Sequence, residues 1–539
     1  MRHFTTTAIA TLTVLSLVAC ENSYRTTEQG PSLPSPTVMA EAAYASPLKM
    51  QRDRLMMPPA FEQDTEQYEE TDPNPVRLTA LEPVSTFSSD VDTTSYAVMR
   101  RYIRQNNILP PSDAVRVEEF VNYFDYDYAE PASADQPFTP TVWVTSAPWR
   151  DGAKLMHIGV KGYDLAPDEE QAANIVLLLD VSSSMGAANK LPLVKKSVNL
   201  MLDQMNENDT ISIVVYAGAA GVVLEPTPAS RKTKIRRALE NLSAGGSTAG
   251  GEGLALAYDL AEENFSEDKI NRIVLATDGD FNVGTVDADS LEDYVARKRD
   301  KGIYLTVLGF GEGNYNDVIA QRLAQNGNGS AAYIDTLEEA RKVLVREFRS
   351  TVFPIARDLK FQVEFNPATV AEYRLIGYET RLLNTEDFNN DAVDAGDIGA
   401  GHTVTALYEI VTVESDARLI DPLRYQTQND TQGSVDEFAF VKLRYKLPES
   451  EKSDLLTVPV LVKDQYDTLQ SAPRDARYAA AVAAYGQKLQ RAGHTDYFDW
   501  DEIISLAQDS RGNDPYGQRA EFVQLVRAAK TASGDAKQK

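Results

Sequence analysis

The sequence predicts a doubly wound, Rossmann-like α/β domain flanked by an antiparallel β-sandwich and a C-terminal helical segment. Three patterns carry this reading. Between residues 171 and 350, apolar runs of strand length alternate with stripes of helical period, as in a parallel sheet covered by helices on both faces. On either side, at 141–160 and from 361 to 462, apolar and polar residues alternate with period two, as half-buried antiparallel strands require. Beyond Asp475 the period becomes helical again. The 539 residues exceed what one core holds, and 43 % apolar with 25 % charged residues is ordinary globular usage.

The chain opens on a short basic start, Met1-Arg2-His3, and an uncharged apolar run, Ala8–Ala19. The run is too short to span a bilayer stably and has the length of a signal-peptide core. It ends in Leu17-Val18-Ala19-Cys20, which resembles the lipobox of bacterial lipoproteins. The resemblance implies that residues 1–19 are a signal peptide and that Cys20, the single cysteine, carries lipid such as palmitate. Glu21 in place of aspartate resembles the sorting pattern for the outer membrane, so the expected place is that membrane, facing the periplasm, with the cell surface as the alternative. No other run is apolar for ~18 residues, so the lipid is the expected membrane contact. Residues 20–82 are polar and proline-bearing and read as a disordered tether, with a reach on the order of 40 Å as a flexible coil.

Residues 83–170 form an N-terminal region. Phe87–Tyr128 holds two apparent helices broken at Pro110-Pro111, and strands at 141–144 and 155–160 join the sandwich. In the α/β domain, 171–350, strands are expected at Ile175–Leu179, Ile211–Tyr216, Arg272–Ala276 and Ile303–Phe310. Helices are expected at Lys190–Met205, Arg231–Leu242, Gly253–Phe265, Leu291–Lys301 and Leu337–Arg349; Pro192 is tolerated in a first turn. The sandwich, 351–470, has strands at 361–365, 403–411, 440–445 and 455–462. The C-terminal region, 471–539, has helices at Arg477–Leu489 and Phe522–Ala529.

A net charge of −27 repels phosphate backbones and argues against nucleic acid as a partner. With four histidines in the whole chain, a His-rich zinc site is excluded on composition. The chemistry sits instead at strand ends. Ile175–Leu179 runs into Asp180-Val181-Ser182-Ser183-Ser184-Met185, and the carboxyl end of such a strand is where ligands bind. Gly245-Gly246-Ser247-Thr248 adds a hydroxyl on a glycine-permitted loop, and Thr277-Asp278-Gly279 adds a second carboxylate. Asp180, Ser182, Ser184, Thr248 and Asp278 are an all-oxygen set with two negative ligands, which suits Mg²⁺ or Mn²⁺ better than a large Ca²⁺ cage.

In these positions the chain resembles the von Willebrand factor type A (VWA) domain and its metal-ion-dependent adhesion site, whose pattern is D-x-S-x-S with a distant Thr and a distant Asp. Ser183 stands where the family usually has Gly. FSSDVDTTSYAVMRRYI, VVYAGAAGVVL, ATDGDFNVG and FNPATVAEYRLIGYE extend the likeness to bacterial VWA lipoproteins with their own N-terminal region and a C-terminal domain of unknown function. The resemblance implies a protein-binding module, anchored to the cell envelope, in which a partner's Asp or Glu completes the metal's coordination. A structural scaffold or assembly factor with a purely structural metal is the second reading.

A hydrolase is the distant third, and an enzyme is not expected: His3, His157, His402 and His494 lie outside the α/β domain, and no G-x-S-x-G elbow occurs. The glycine-rich Ala244–Gly253 lacks the Gly-Lys-Ser/Thr ending of a phosphate loop. Asp387–Asp397 lacks EF-hand spacing and reads as a solvated acidic loop. Tyr123–Tyr128 (YFDYDY) reads as core packing at a domain junction.

Overall fold

Sixteen strands organise the described part of the chain, and the pairing of each follows from how many of its faces are apolar. In order they are β1 (Arg77–Leu78), β2 (Val84–Ser88), β3 (Phe138–Ser146), β4 (Ala153–Gly162), β5 (Ala172–Asp180), β6 (Thr210–Tyr216), β7 (Ala220–Pro228) and β8 (Lys269–Thr277), followed by β9 (Ile303–Phe310), β10 (Ala331–Ile334), β11 (Pro354–Phe365), β12 (Val370–Ile376), β13 (Gly396–Gly399), β14 (Thr403–Thr412), β15 (Glu437–Lys446) and β16 (Ser453–Leu461). The structure, a computed structural model, describes residues 65–89, 92–133, 136–164, 171–247, 250–279, 288–347, 353–421, 435–448 and 450–534. Its described body is a single unit that begins at about Gln63.

The central sheet has the order β10-β9-β8-β5-β6-β7, parallel except for β7. On β5, Ile175, Leu177 and Leu179 enter one core with Leu191, Val194, Val198 and Leu202 of the helix Leu191–Gln204. Val176 and Leu178 enter the opposite core with Leu254, Ala257 and Tyr258 of the helix Gly250–Glu263. Successive side chains point to opposite faces, so a strand apolar at every position must be covered on both. The chain runs outward from β5 through β6 and then returns to β8 on the other side, so a topological switch point lies beside β5.

The sandwich is also present. One sheet runs β1-β12-β14-β4-β3, and the other runs β13-β11-β15-β16 with β2 added beside β11. Met156, Ile158, Val160, Val404, Ala406 and Tyr408 face Phe87, Phe361, Val363, Val441 and Leu443 between the sheets. The outer face of the first sheet does not meet solvent. Leu155, Ile376, Leu407 and Val411 pack with Tyr478, Val482 and Tyr485 of the helix Arg474–Gln490, and with the helices Trp500–Asp509 and Gln518–Ala532.

Two expectations change, those for the tether and for the acidic loop. The tether does not reach residue 82: Glu66 is buried against Arg101, Gln67 bridges to Asn316, and β1 pairs with β12. These polar residues are held by hydrogen bonds and an ion pair, which apolar content does not report. Residues 20–64, with Cys20, lie outside the described residues. The strands of region 83–170 join the sandwich as expected, β3–β4 extending the sheet of β14; the addition is β2, which pairs with β11. The acidic loop 387–397 is pinned, with Asp391 on Arg444 and Asp394 on Arg299. YFDYDY is core as expected, Tyr123, Phe124, Tyr126 and Tyr128 all being buried.

Buried charge ties the helix Thr94–Arg101 to the end of the α/β domain. Arg100 donates from Nε to Asp335 at 2.9 Å and from Nη2 to Glu339 at 2.6 Å, and Tyr123 donates its hydroxyl to Glu339 at 2.8 Å. Arg116 joins Glu119 and Asp317 in the same way.

Glu118 has no such partner. Its two carboxyl oxygens are buried and face no cation among the described residues; only the backbone of Tyr378 and its own oppose the effect of burial. Burial, reinforced by the charges of Glu379 and Glu119, pushes its pKa well above the ordinary carboxyl value. The folded state therefore keeps a proton that the unfolded chain releases near pH 4.3, and stability falls as pH rises from there through the folded-state pKa, by up to about 1.4 kcal/mol per unit. Glu118→Gln is expected to leave stability near pH 4 almost unchanged and to raise the melting temperature at pH 8. An identical decline with pH in both proteins would contradict this.

Candidate metal centre

The register of the central sheet assembles the site. Leu179 pairs with Ala276, so Asp180 and the Thr277-Asp278-Gly279 turn leave the sheet at the same end of adjacent strands. Both carboxylates are fully buried, at 0 % exposure. The Ser182 backbone N–H donates to Asp180 Oδ1 at 2.8 Å, and the Ser182 and Ser184 hydroxyl oxygens are 2.9 Å apart. Asp180 Oδ2 is buried, and the Tyr216 hydroxyl is the neighbouring group that can donate to this carboxylate. Burial, with the nearby charge of Asp278, raises the Asp180 pKa to about 6 against the opposing hydrogen bonds from Ser182 and the Tyr216 hydroxyl.

The glycine loop is stitched to the serine loop. Gly245 N–H donates to the Val181 carbonyl at 2.8 Å, and Ser183 donates to the Gly246 carbonyl from its backbone N–H at 3.0 Å and from its hydroxyl at 2.7 Å. Gly246 takes a φ of +92°, where a side chain would be strained. The loop that carries Thr248 is thereby held against Ser183, though Thr248 itself lies outside the described residues. Ser183, a departure from the family pattern, fastens the two loops together. Ser183, Ser184 and Gly245–Ser247 are exposed, so the site is acidic at its floor and open at a hydroxyl-bearing rim.

Two residues that sequence reasoning missed complete the floor. Lys190 Nζ donates to Asp278 Oδ2 at 2.9 Å and to Asn314 Oδ1 at 3.3 Å. The only local signal was a lysine at the start of a helix. The three histidines of the described body lie elsewhere: His157 on β4, His402 before β14, and His494 after the helix Arg474–Gln490. Burial lowers the pKa of His157 to about 3, and its Nε2 lies 2.6 Å from the Tyr128 hydroxyl.

Family models match along most of the body. "von Willebrand factor type A domain" covers residues 174–346, "Uncharacterized protein YfbK, C-terminal" covers 350–532, and "von Willebrand factor" covers 62–157. The fold and its strand-end acid and hydroxyl cluster define a VWA-domain protein, a class commonly used in protein–protein interaction. The chain is 45 % identical over 473 residues to "Uncharacterized protein YfbK" of Escherichia coli (strain K12), an alignment covering 86 % of this chain and 81 % of the relative. It therefore belongs to the YfbK family of VWA-domain proteins. It is also 32 % identical over 327 residues to "Uncharacterized protein sll0103" of Synechocystis, covering 60 % of this chain and 73 % of that one. A solved VWA structure from Catenulispora acidiphila aligns with 75 % of this chain and 91 % of its own, at 15 % identity and a TM-score of 0.41, too distant to add to the argument.

VWA domains often bind a divalent metal at this position. The residues present fit one. The buried Asp180 carboxylate, which accepts from the Ser182 N–H, and the Ser182 and Ser184 hydroxyls 2.9 Å apart are hard oxygen donors gathered at one strand end. Among the described residues, no three His, Cys, Asp or Glu side chains gather into a metal site, so the hydroxyls are an essential part of this donor set.

Proposed function

We propose that the open end of the central sheet is a divalent-metal-dependent, adhesion-type protein-docking site on a chain that lipid at Cys20 anchors in the cell envelope. Asp180, Ser182, Ser184, Thr248 and Asp278 hold the ion, Mg²⁺ or Mn²⁺, and a partner's Asp or Glu completes its coordination. The observation that carries this reading is the pair of fully buried carboxylates, Asp180 and Asp278, at the same end of adjacent strands, beside the Ser182 and Ser184 hydroxyls that lie 2.9 Å apart. When bound, the ion supplies a Lewis-acidic positive charge to the rim. That sign reversal matters: Lys190 offsets only the charge of Asp278, and the Asp180 carboxylate in a chain of net charge −27 repels an incoming carboxylate unless a dication lies between them. Asp180 and Asp278 set the floor, the serine hydroxyls orient it, and the exposed rim at Ser184 and Ser247 leaves room for a protein surface.

A scaffold with a purely structural metal fits less well. Lys190 already gives Asp278 a positive partner, so the loops do not depend on a metal for charge balance.

The test is capture of envelope proteins by the full-length protein in Mg²⁺, in EDTA, and with Asp180→Ala. A partner retained only by wild type in Mg²⁺ is expected. The same proteins in all three samples would sink the metal-dependent reading. A large Mg²⁺-dependent rise in melting temperature without such a partner would favour the scaffold. In the same cells, Cys20→Ser is expected to leave the membrane fraction, and retention after a high-salt wash with normal processing would remove the lipid anchor from this reading.

A further inference from the structure

Lys190 stands at a position where helix electrostatics disfavours it. It is the N-cap of the helix Leu191–Gln204, with its carbonyl accepting from Leu193 and Val194, and it makes no side-chain cap. The N-terminal end of a helix favours anions, so a buried ammonium there costs free energy unless a carboxylate faces it. Asp278 is that carboxylate; the lysine side chain is 11 % exposed and Asp278 is wholly buried.

The lysine is also held from behind. A Cβ at Gly311, whose φ is +79°, would fall 2.3 Å from Lys190 Cε and 2.5 Å from its Cγ, so the stem lies flat against that glycine. Gly311 opens the loop that carries Asn314, and this loop is strapped by the first described residues of the chain. Thr65 N–H donates to the Gly313 carbonyl at 2.9 Å and Gln67 N–H to the Tyr315 carbonyl at 3.1 Å. Glu66 accepts from the Gly313 N–H at 2.8 Å while its carboxylate pairs with Arg101. A continuous set of bonds therefore runs from the strap, through the loop and Asn314, to Lys190 and Asp278.

We propose that Lys190 is a positioning residue of the docking site: its ammonium holds Asp278 in place, competes with a divalent cation for that carboxylate, and is itself set by the loop that the strap Thr65–Tyr68 clamps. This inference rests on the metal-site reading above. It adds that the site's affinity for metal is held down by an internal cation and is adjustable from the strap, where the body joins the segment leading back to Cys20. Removing one positive charge beside a dication in a partly buried site tightens binding by roughly tenfold.

Direct Mn²⁺ titration of the full-length protein, followed by the electron paramagnetic resonance of the free ion, tests it. Lys190→Met keeps the apolar stem and removes the charge, and is expected to bind Mn²⁺ about tenfold more tightly than wild type. Glu66→Gln, which loosens the loop, is expected to shift affinity in the same direction by less. A damaged fold weakens binding, so a gain reads the charge and not the packing. If Lys190→Met fails to give a native circular dichroism spectrum, Lys190→Gln takes its place. Unchanged or weaker Mn²⁺ binding by a folded Lys190 variant overturns the inference alone. If wild type takes up no Mn²⁺ and Asp180→Ala does not differ from it, the metal reading fails and this one with it.

Discussion

Arg100→Met is expected to lower the free energy of unfolding by about 3–5 kcal/mol, the usual cost of breaking a buried ion pair from one side. The guanidinium reaches Asp335, Glu339 and Tyr123, and its side chain is 3 % exposed while those of the two acids are 2 % and 1 %. Taking the cation away leaves two carboxylates with little access to water and a shared negative field. They respond by taking up protons or by opening the contact between the helix Thr94–Arg101 and the end of the α/β domain. Urea denaturation at pH 7 measures the loss. The triple variant Arg100→Met, Asp335→Asn, Glu339→Gln should recover a large part of it, because the charges go together. A loss under about 1 kcal/mol for the single variant would show that water reaches the cluster.

Gly279→Ala is the second large effect, and it strikes the site. Gly279 has a φ of +95°, and a Cβ there would lie 2.4 Å from Tyr315 Cα and 2.7 Å from both the Asn314 carbonyl oxygen and the Asn316 nitrogen. These are backbone atoms and cannot rotate away. Left-handed strain alone costs roughly 1–2 kcal/mol, and displacing the 314–316 backbone brings the expected total to about 3 kcal/mol or more. The same displacement moves Asp278 and Asn314, so any Mg²⁺-dependent gain in melting temperature should vanish with it. Gly245→Ala is the control, since a Cβ at Gly245 meets nothing within 4 Å. Thermal unfolding of both variants, with and without Mg²⁺, checks the contrast; equal effects would mean the loop yields easily.

The strand-end acids and serines were legible because they depend on local pattern. IVLLL had to be a strand covered on both faces, and whatever follows such a strand emerges at the carboxyl end of the sheet. Asp180, Ser182, Ser184 and Asp278 could be placed together on that ground. The role of Ser183 could not, because its hydroxyl acts on the carbonyl of Gly246, 63 residues away. β10 and β12 were not expected. β10 is four residues long and its alternation is too short to register, while β12 carries Glu372 and Arg374, which read as surface residues but are buried. The helix Trp500–Asp509 carries only a local start signal, the capping box of Asp499 and Glu502.

By itself the sequence determined the periodicities: an alternating α/β centre, half-buried strands around it, helices at the end, and oxygen-bearing turns where two central strands finish. Periodicity reports that one element faces a core, and it is written in neighbouring residues. Tertiary structure alone decided what faces what. That strands from both sides of the α/β domain share one sandwich was legible; which strands are neighbours, β14 with β4 and β11 with β2, was not. Residues 65–82, polar enough to look like tether, close onto the body through Glu66, Gln67 and β1. Arg100, Arg101, Arg116 and Lys190 look like surface charges in sequence, yet each is buried against a carboxylate. Burial of a charge is decided by the partner opposite it. For Arg100 and Lys190 those partners lie 235 and 88 residues away, a distance that no local pattern spans.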